Sequence, residues 1–153
     1  MTYHLAIEDF ERTYPEFEPL YRAHYAEMSD RLKGDGVDCL PYNPRLDQYC
    51  RAAKEGWLLH FTARRDGAPV GYCNVFLTND MHSGESMSRE DVLFVVKPHR
   101  NGLGKRLVRF GLAELKRRGV KKLYVNPVTD LRVAKIWQRM GFREVSSVMV
   151  YQF

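Results

Sequence analysis

The sequence is poor in cysteine and has no long apolar segment. Three cysteines occur in 153 residues, at Cys39, Cys50 and Cys73, without CxxC or Cys/His metal-binding spacing. We therefore expect three reduced thiols, with neither a disulfide framework nor a bound metal. The longest apolar run covers residues 92–96, whereas a membrane-spanning helix needs about 18 apolar residues.

The N-terminus also lacks the pattern of an export signal. Residues 1–10 include Glu8 and Asp9 and do not place an apolar stretch behind a basic one. A cytoplasmic protein that does not enter a membrane is therefore expected. The length, with 44% hydrophobic and 28% charged residues, suits one domain over residues 1–153.

Positive charge is concentrated in one part of the chain. Residues 1–96 carry 10 Lys and Arg against 16 Asp and Glu, whereas residues 97–143 carry 14 against 2. A basic part suits an anionic cofactor, and an acidic part favours a cationic acceptor. Solvated helix faces explain many of the same charges.

Apolar periodicity and turn residues predict a mixed α/β (α+β) chain, with two successive helices and a strand meander. Thr13 is the predicted cap of the first helix, and Asp66-Gly67 is a hairpin signal. The last helix follows Thr129 or Asp130 and has Trp137 on its apolar face. The other expected elements are strands over 3–7, 57–65, 69–77, 90–96 and 121–126, helices over 13–32, 44–55 and 103–118, and a closing strand or strand pair over 142–153.

A glycine-containing turn lies between the strand at 90–96 and the helix at 103–118. Its sequence is His99-Arg100-Asn101-Gly102-Leu103-Gly104-Lys105. Glycines at such a place let backbone N–H groups approach a phosphate at the positive end of a helix. A Walker A loop would need glycine at His99 and Ser or Thr at Arg106, and a dinucleotide fingerprint would need glycine at Leu107. Both nucleotide motifs are therefore excluded.

Three blocks in order resemble the GNAT superfamily of Gcn5-related N-acetyltransferases. His99 to Gly104 resembles the acyl-CoA loop Arg/Gln-x-x-Gly-x-Gly/Ala at both glycines, and Glu90 to Phe94 resembles the acidic-then-apolar strand before it. The third block matches the pattern Asn-x-x-Ala-x-x-Leu-Tyr-x-x-x-Gly-Phe with Asp130, Val133, Ile136, Trp137, Gly141 and Phe142. The resemblance covers about residues 57–153.

The resemblance implies a GNAT fold, which is a central mixed, mostly antiparallel sheet flanked by helices, with an acyl-CoA-binding core at about 88–143. It also implies acetyl-CoA as cosubstrate. The main chain of the strand would pair with the pantetheine arm, and the glycine turn would hold the pyrophosphate. The residues implied in binding are Val92, Leu93, Phe94, Arg100, Asn101, Gly102, Leu103, Gly104, Lys105 and Asp130, and Arg106 is a further cation near the phosphates.

The resemblance further implies direct acetyl transfer to a primary amine of a small molecule, peptide or protein. A lysine-like amine has a pKa of about 10.4, so a base must take its proton. Glu90, at the position of the family's frequent acidic base, is the first candidate, because partial burial would raise the pKa of its carboxyl. Asp91 alternates to the other face of the strand and is the weaker choice.

The sequence departs from the family at three positions. Trp137 stands where many members have a tyrosine acid, and we expect it to be a core residue. His99 replaces the usual Arg or Gln, and Asp130 replaces Asn and is also a candidate helix cap. Other acceptor-side candidates, without a motif behind them, are His82, Tyr25, Glu27 and Tyr72.

Two other functions stay open at this point. The departures at Trp137 and His99 allow a GNAT-fold protein that binds CoA without turnover. The basic cluster at 116–122 allows a nucleic-acid-binding or nucleic-acid-modifying protein, which we consider the weaker hypothesis. Edge pairing through residues 148–153 would make a homodimer.

Overall fold

The computed structural model describes residues 2–127 and 132–153. Its strands and helices follow one another in the predicted order, apart from the closing strand. The order is β1 (Tyr3–Ile7), α1 (Phe10–Gly34), α2 (Leu46–Glu55), β2 (Leu58–Arg65), β3 (Ala68–Asn79), β4 (Ser86–Val95), a 3-10 turn (Lys97–His99), α3 (Leu103–Arg117), β5 (Lys122–Tyr124) and α4 (Val133–Arg139).

The five strands form one mixed sheet in the order β1-β2-β3-β4-β5. The first four strands pair antiparallel, and β5 pairs parallel with β4. The turn between β2 and β3 has positive φ at both Asp66 (51°) and Gly67 (83°), as a two-residue hairpin requires. This mixed, mostly antiparallel sheet with flanking helices confirms the predicted fold class.

Helix α1 begins earlier than predicted. Asp9, and not Thr13, caps it, because the Asp9 carboxylate accepts the backbone N–H of Arg12 at 2.8 Å. Thr13 is buried and its hydroxyl donates to the Asp9 carbonyl at 2.6 Å. The cap prediction at Thr13 was therefore wrong, because Ser, Thr, Asp and Asn all serve as caps and the sequence has two of them four residues apart.

Strand β4 also begins earlier than predicted, at Ser86 rather than Glu90. Its polar N-terminal part, residues 86–89, pairs with residues 76–79 of β3. Ser88 is fully buried, and its hydroxyl donates to the Lys122 carbonyl at 2.9 Å. Pairing on both sides places this part of the chain in the sheet although its residue types have little strand propensity.

Apolar side chains cover both faces of the sheet. On one face, Phe61 and Val75 pack with Leu103 and Leu107 of α3. On the other face, aromatic residues of α1 pack against β2 and β3, and the Tyr21 and Tyr72 rings stack at 4.0 Å. The two faces hold β4 and the start of α3 in fixed positions.

The chain divides into two compact units. One comprises residues 1–22 and 44–126 and includes the whole sheet, and the other comprises 23–43 and 127–153. In the second unit the rings of Trp137 and Phe142 meet edge to face at 4.8 Å, and Tyr25 donates a hydrogen bond to the Leu40 carbonyl. A single domain over 1–153, with an acyl-CoA core at 88–143, stays a prediction.

The closing strand expected over 142–153 was wrong. Residues 142–153 form no strand in the structure. A strand needs a partner to satisfy its backbone groups, whereas this segment's contact with Asp38 runs through the side chain of Gln152, whose amide oxygen accepts the Asp38 N–H at 3.1 Å. Apolar side chains such as Met149 and Phe153 are exposed.

Arg64 on β2 joins β1, α1 and the hairpin through its guanidinium. It donates to Glu8 at 3.0 Å, to Glu16 at 2.7 Å and to the Gly67 carbonyl at 2.9 Å, and it lies over the Phe17 ring at 5.0 Å. These contacts lower the pKa of the Glu16 carboxyl and raise the pKa of Arg64.

Replacing this guanidinium should destabilise the fold. We expect Arg64→Gln to lower the free energy of unfolding by about 1–3 kcal/mol, because several charge-assisted hydrogen bonds are lost at once. Urea unfolding of Arg64→Gln beside Arg12→Gln, whose side chain is exposed, measures this effect. Equal stability of the two variants would contradict it.

Candidate functional site

Strands β4 and β5 pair over a short distance and then separate. Their parallel pairing covers Met87, Ser88 and Arg89 against Lys122, Leu123 and Tyr124. Strand β4 continues to Val95, whereas β5 ends at Tyr124. In the part of the chain that the structure describes, residues 90–95 of β4 thus have no strand partner on the β5 side. This opening can accept an extended ligand through main-chain hydrogen bonds.

A β-bulge lies where the strands separate. Asn74 of β3 pairs with Val92 and Val75 pairs with Glu90, so that Asp91 is the extra residue. A bulge interrupts the simple alternation of side chains along a strand, and the weaker candidacy of Asp91 as the base stays a prediction. The hydroxyl of Tyr49 on α2 donates to the Asp91 carboxylate at 2.7 Å. The Asp91 carboxylate thus already has a hydrogen-bond partner within the protein.

Glu90 lies at the opening itself. Its carboxylate accepts the backbone N–H of Asn126 at 3.2 Å, just beyond the end of β5. Burial raises the pKa of this carboxyl to about 7, and the nearby Asp91 also raises it, against hydrogen bonds from Asn126 and Leu93 that lower it. A carboxyl with a pKa near neutrality, placed at a cleft, has the property needed in a general base.

The raised pKa of Glu90 also predicts a change in stability with pH. Burial disfavours the ionised form of Glu90 in the folded state, so ionisation lowers the free energy of unfolding. This loss is absent below the unfolded pKa of about 4.3, grows as pH rises towards 7 and is complete above 7. Glu90→Gln removes this loss, so we expect the variant to be stabilised relative to the native sequence. The stabilisation should be larger at pH 8 than at pH 5 by about 1–3 kcal/mol.

Urea unfolding at the two pH values measures this difference. Glu11→Gln, at an exposed position of α1, is the matched control for exchanging a glutamate for glutamine. A Glu90→Gln effect that does not change between pH 5 and pH 8 would contradict the raised pKa.

The glycine turn lies next to this opening and leads into α3. Gly102 has φ of +99°, and a Cβ built on it meets no atom within 4 Å. Gly104, in the first turn of α3, would place a Cβ 3.9 Å from Val95. The first N–H groups of a helix have no partner within the helix, so the start of α3 offers donors to an anion beside an open space.

The binding residues that the resemblance implies on β4 have their side chains in the core, so their main-chain groups are the part that a ligand can contact. Val92 and Phe94 are buried, so these side chains belong to the core. Leu93 is partly buried against the core below α3. Leu103 is also a core residue at 1% exposure, and Asn101 is exposed in the turn.

The cations of the turn differ in their contacts. Arg100 donates to the Val95 carbonyl at 2.6 Å and lies over the Phe94 ring at 5.3 Å. Arg106 lies over the Tyr3 ring at 5.5 Å. Lys105 is exposed. Arg100 therefore helps to fix the turn to the end of β4, whereas Lys105 is positioned to add charge at the start of α3.

His99 has a structural role that the sequence did not reveal. Its Nδ1 lies 2.9 Å from the Tyr3 hydroxyl, and the two rings meet edge to face at 5.7 Å. The side chain thus attaches the turn to β1, at the position where the family usually has Arg or Gln.

The third motif block is described in part. Asp130 and Thr129 lie outside the described residues, so the predicted cap and the predicted CoA contact of Asp130 stay predictions. Trp137 is 5% exposed and packs against Phe142, as expected of a core residue. Among the remaining candidates, Tyr72 is fully buried in the core.

A surface pocket of about 360 Å³ adjoins the last paired residues of β4 and β5. Residues 78–82 line it together with Met87, Arg89 and Tyr124. The Arg89 guanidinium lies 5.1 Å from the centre of the Tyr124 ring. His82 is an exposed member of this lining. Sequence reasoning missed Arg89 and Tyr124, because parallel pairing joins residues far apart in the chain.

A buried polar cluster lies on the α1 side of the sheet. His60 and Asn74 are both buried, with 2.7 Å between the His60 Nδ1 and the Asn74 side-chain oxygen. The Asn74 amide donates to the Tyr21 hydroxyl at 2.7 Å. Burial lowers the pKa of His60, so this ring is neutral at pH 7.

The basic cluster at 116–122 is partly neutralised by internal ion pairs. Arg117 and Arg118 both contact Glu114, at 2.6 and 2.8 Å, and Lys122 contacts Glu85 at 2.8 Å. These contacts reduce the positive charge available to a phosphate backbone. No helix within the described ranges is long and apolar enough to cross a membrane, and those ranges contain no cluster of metal-ligating side chains.

Comparison with protein-family models shows to which family the chain belongs. The model of the acetyltransferase (GNAT) family matches residues 3–142. The chain belongs to this family. In this GNAT-family chain β4 and β5 diverge at a bulge, and a glycine turn follows β4. A comparison with curated proteins gives no match.

Solved structures support the GNAT fold at low sequence identity. A ribosomal-protein-alanine N-acetyltransferase from Brucella melitensis biovar Abortus 2308 has 20% identity and a TM-score of 0.76, covering 99% of this chain and 100% of its own. An aminoglycoside acetyltransferase, meta-AAC0020, from an uncultured soil metagenomic sample has 15% identity and a TM-score of 0.72, covering 99% and 95%.

Glucosamine-6-phosphate N-acetyltransferase from Arabidopsis thaliana has 12% identity and a TM-score of 0.72, covering 100% of this chain and 99% of its own. The three names refer to different acceptors, so the shared fold does not select one.

Proposed function

We propose that this GNAT protein is an acetyl-CoA-dependent N-acetyltransferase that acetylates a primary amine directly. The observation that carries the proposal is the position of Glu90, whose carboxyl has a pKa of about 7 at the point where β4 and β5 separate. The glycine turn and the start of α3 lie next along the chain.

The residues around the opening fit acetyl-CoA. The unpaired edge of β4 suits an amide-containing arm, because main-chain groups of both partners can pair. The open space at Gly102 and the N–H groups at the start of α3 suit a pyrophosphate. Lys105 adds a positive charge there, and Asp130 remains part of the proposed set.

Acetyl-CoA supplies an acetyl thioester, from which the acceptor nitrogen takes the acetyl group as a C–N bond forms and the C–S bond breaks. Glu90 takes one proton from the acceptor ammonium, directly or through a water, which makes its nitrogen nucleophilic. The second N–H proton is lost as the amide forms and goes to the departing CoA sulfur. The Asn126 N–H and the bulge at Asp91 hold the Glu90 carboxyl at the opening. One proton of the acceptor thus goes to the Glu90 carboxylate.

The departing CoA sulfur needs no tyrosine acid in this proposal. Trp137, at the usual tyrosine position, is buried and its indole N–H does not titrate near pH 7. A thiol with a pKa of about 8.5 is a fair leaving group as the thiolate, which takes the second proton of the acceptor nitrogen, directly or through water. The proposed protein contribution is therefore the base and the alignment of the two reactants.

An amine panel with acetyl-CoA tests the proposal. Release of free CoA thiol, followed with a thiol reagent and confirmed by mass spectrometry of the acetylated amine, is the expected result. Acetyl-CoA binding without acetylation of any amine would instead support a CoA-binding protein without turnover. A steep salt dependence of RNA or DNA binding, together with no CoA binding, would support the nucleic-acid hypothesis.

The location and assembly of the protein are also proposals. We propose that it acts in the cytoplasm, where acetyl-CoA is present, and that it forms a homodimer through the exposed residues 148–153. Light scattering behind size-exclusion chromatography, comparing the full chain with one that carries Val148→Lys and Val150→Lys, tests the dimer. A monomeric full chain at high concentration would contradict it.

A further inference from the structure

The pocket beside the opening is lined by a cationic side chain, Arg89, that stacks on an aromatic ring. The Arg89 guanidinium lies over the Tyr124 ring at 5.1 Å. Among the residues that the structure describes, no carboxylate lies within ion-pair distance of Arg89. A guanidinium that stacks through its face keeps its N–H edge free for two parallel hydrogen bonds to a carboxylate or phosphate.

The pocket is next to Glu90, the proposed general base. Arg89 and Tyr124 form the last pair before β4 and β5 separate, and Glu90 is the next residue of β4. The acidic residue of the lining is Asp80. The Asp80 carboxylate accepts the N–H groups of His82 and Ser83 at 2.9 and 2.8 Å. Arg89 is the arginine of the lining, and it can pair with an anionic group of an incoming acceptor.

Several acidic residues of the N-terminal part are engaged within the protein rather than at the pocket. Several of their carboxylates already form internal ion pairs, and these are Glu8 and Glu16 with Arg64, Glu18 with Arg22, Asp47 with Arg45, and Glu85 with Lys122. Arg22, Arg45 and Arg64 are already counted in the charge balance of residues 1–96, so only the pair with Lys122 reduces its negative charge further. Distant charges are, in addition, screened by salt.

We infer that the acceptor is an amine that also carries a carboxylate or phosphate group, and that Arg89 binds this anionic group while Tyr124 holds the guanidinium in place. Met87 and the Tyr124 ring contact the apolar part of the acceptor between its two ends. The inference rests on the proposed acetyltransferase function and reverses the acceptor charge expected from the sequence.

The test compares amines of equal chain length and different charge. The probes are 4-aminobutyrate, 1-butylamine and 1,4-diaminobutane, with O-phosphoethanolamine as the phosphate-bearing amine. We expect kcat/KM to be largest for an anionic member. In Arg89→Gln, the ratio of kcat/KM for 4-aminobutyrate to that for 1-butylamine should fall by about 10- to 100-fold, because a charge-assisted hydrogen bond is lost.

Three further variants separate specificity from folding. Arg89→Lys should restore part of the ratio, and Arg89→Glu should move the preference towards 1,4-diaminobutane. Tyr124→Leu should lower the ratio less than Arg89→Gln, because the charge remains. Arg12→Gln removes an exposed arginine outside the pocket and should leave the ratio unchanged.

A titration of each probe into the CoA-loaded protein adds a readout that does not depend on turnover. Binding of 4-aminobutyrate or O-phosphoethanolamine that weakens in Arg89→Gln supports the inference. The inference is overturned if the ratio and the binding are the same in Arg89→Gln and Arg12→Gln, or if neither anionic probe binds. Failure of the protein to bind acetyl-CoA would instead overturn the acetyltransferase proposal on which the inference rests.

Discussion

We expect Glu90→Gln to lower kcat/KM for amine acetylation by about 10²- to 10⁴-fold, the usual range for removing a general base. Glutamine keeps the size of the side chain and can remain near the Asn126 N–H, but it cannot take a proton. The loss should therefore appear in turnover, whereas the dissociation constant of acetyl-CoA should change little.

The pH profile distinguishes a base from a positioning residue. Because the pKa of Glu90 is raised to about 7, kcat/KM of the native sequence should rise with pH through an ionisation near 7. Glu90→Gln should lack that ionisation. Steady-state kinetics between pH 5.5 and 9 measure it.

Asp91→Asn is the matched control for Glu90→Gln. It removes the neighbouring carboxylate, which the Tyr49 hydroxyl already engages. It should retain most of the activity and shift the ionisation near 7 to lower pH, because Asp91 helps to raise the pKa of Glu90. Equal losses in both variants, or an unchanged profile in Glu90→Gln, would count against Glu90 as the base.

We expect Gly102→Ala to weaken acetyl-CoA binding by about 10- to 100-fold. The added Cβ would occupy the open space beside the start of α3, where the pyrophosphate is proposed to approach. Loss of one or two hydrogen bonds to a charged group corresponds to an effect of this size. Calorimetric titration of acetyl-CoA measures the change.

The same substitution also strains the backbone, because Gly102 has φ of +99°. Gly119→Ala provides the control for this strain. Gly119 ends the same helix with φ of +79° and has the same open surroundings, so it should lower stability by a similar amount, about 1–2 kcal/mol. Affinity for acetyl-CoA that falls equally in both variants would mean that strain, and not the phosphate site, explains the effect.

The order of the elements could be predicted from the sequence because most of its signals are local. The Asp66-Gly67 hairpin, the apolar repeat of α3 and the glycine turn all lie within short windows, and the structure has each of them. The cap of α1 was misassigned because two suitable residues, Asp9 and Thr13, compete within one turn. Local signals do not select between them.

The parts of the site that could not be predicted depend on pairing between distant segments. The N-terminal half of β4 is polar and becomes a strand through its pairing with β3 and β5. The bulge at Asp91 depends on the β3 register, and the Arg89–Tyr124 contact depends on the β5 register. Glu90 was found through the family motif, whereas its contact with Asn126 needed the structure.

The central claim is that the opening between β4 and β5, with the glycine turn, binds acetyl-CoA. Calorimetric titration of acetyl-CoA into the full native chain tests it most directly, since the result does not depend on the acceptor. We predict saturable one-to-one binding, with CoA competing for the same site. No binding of either acetyl-CoA or CoA would contradict the account.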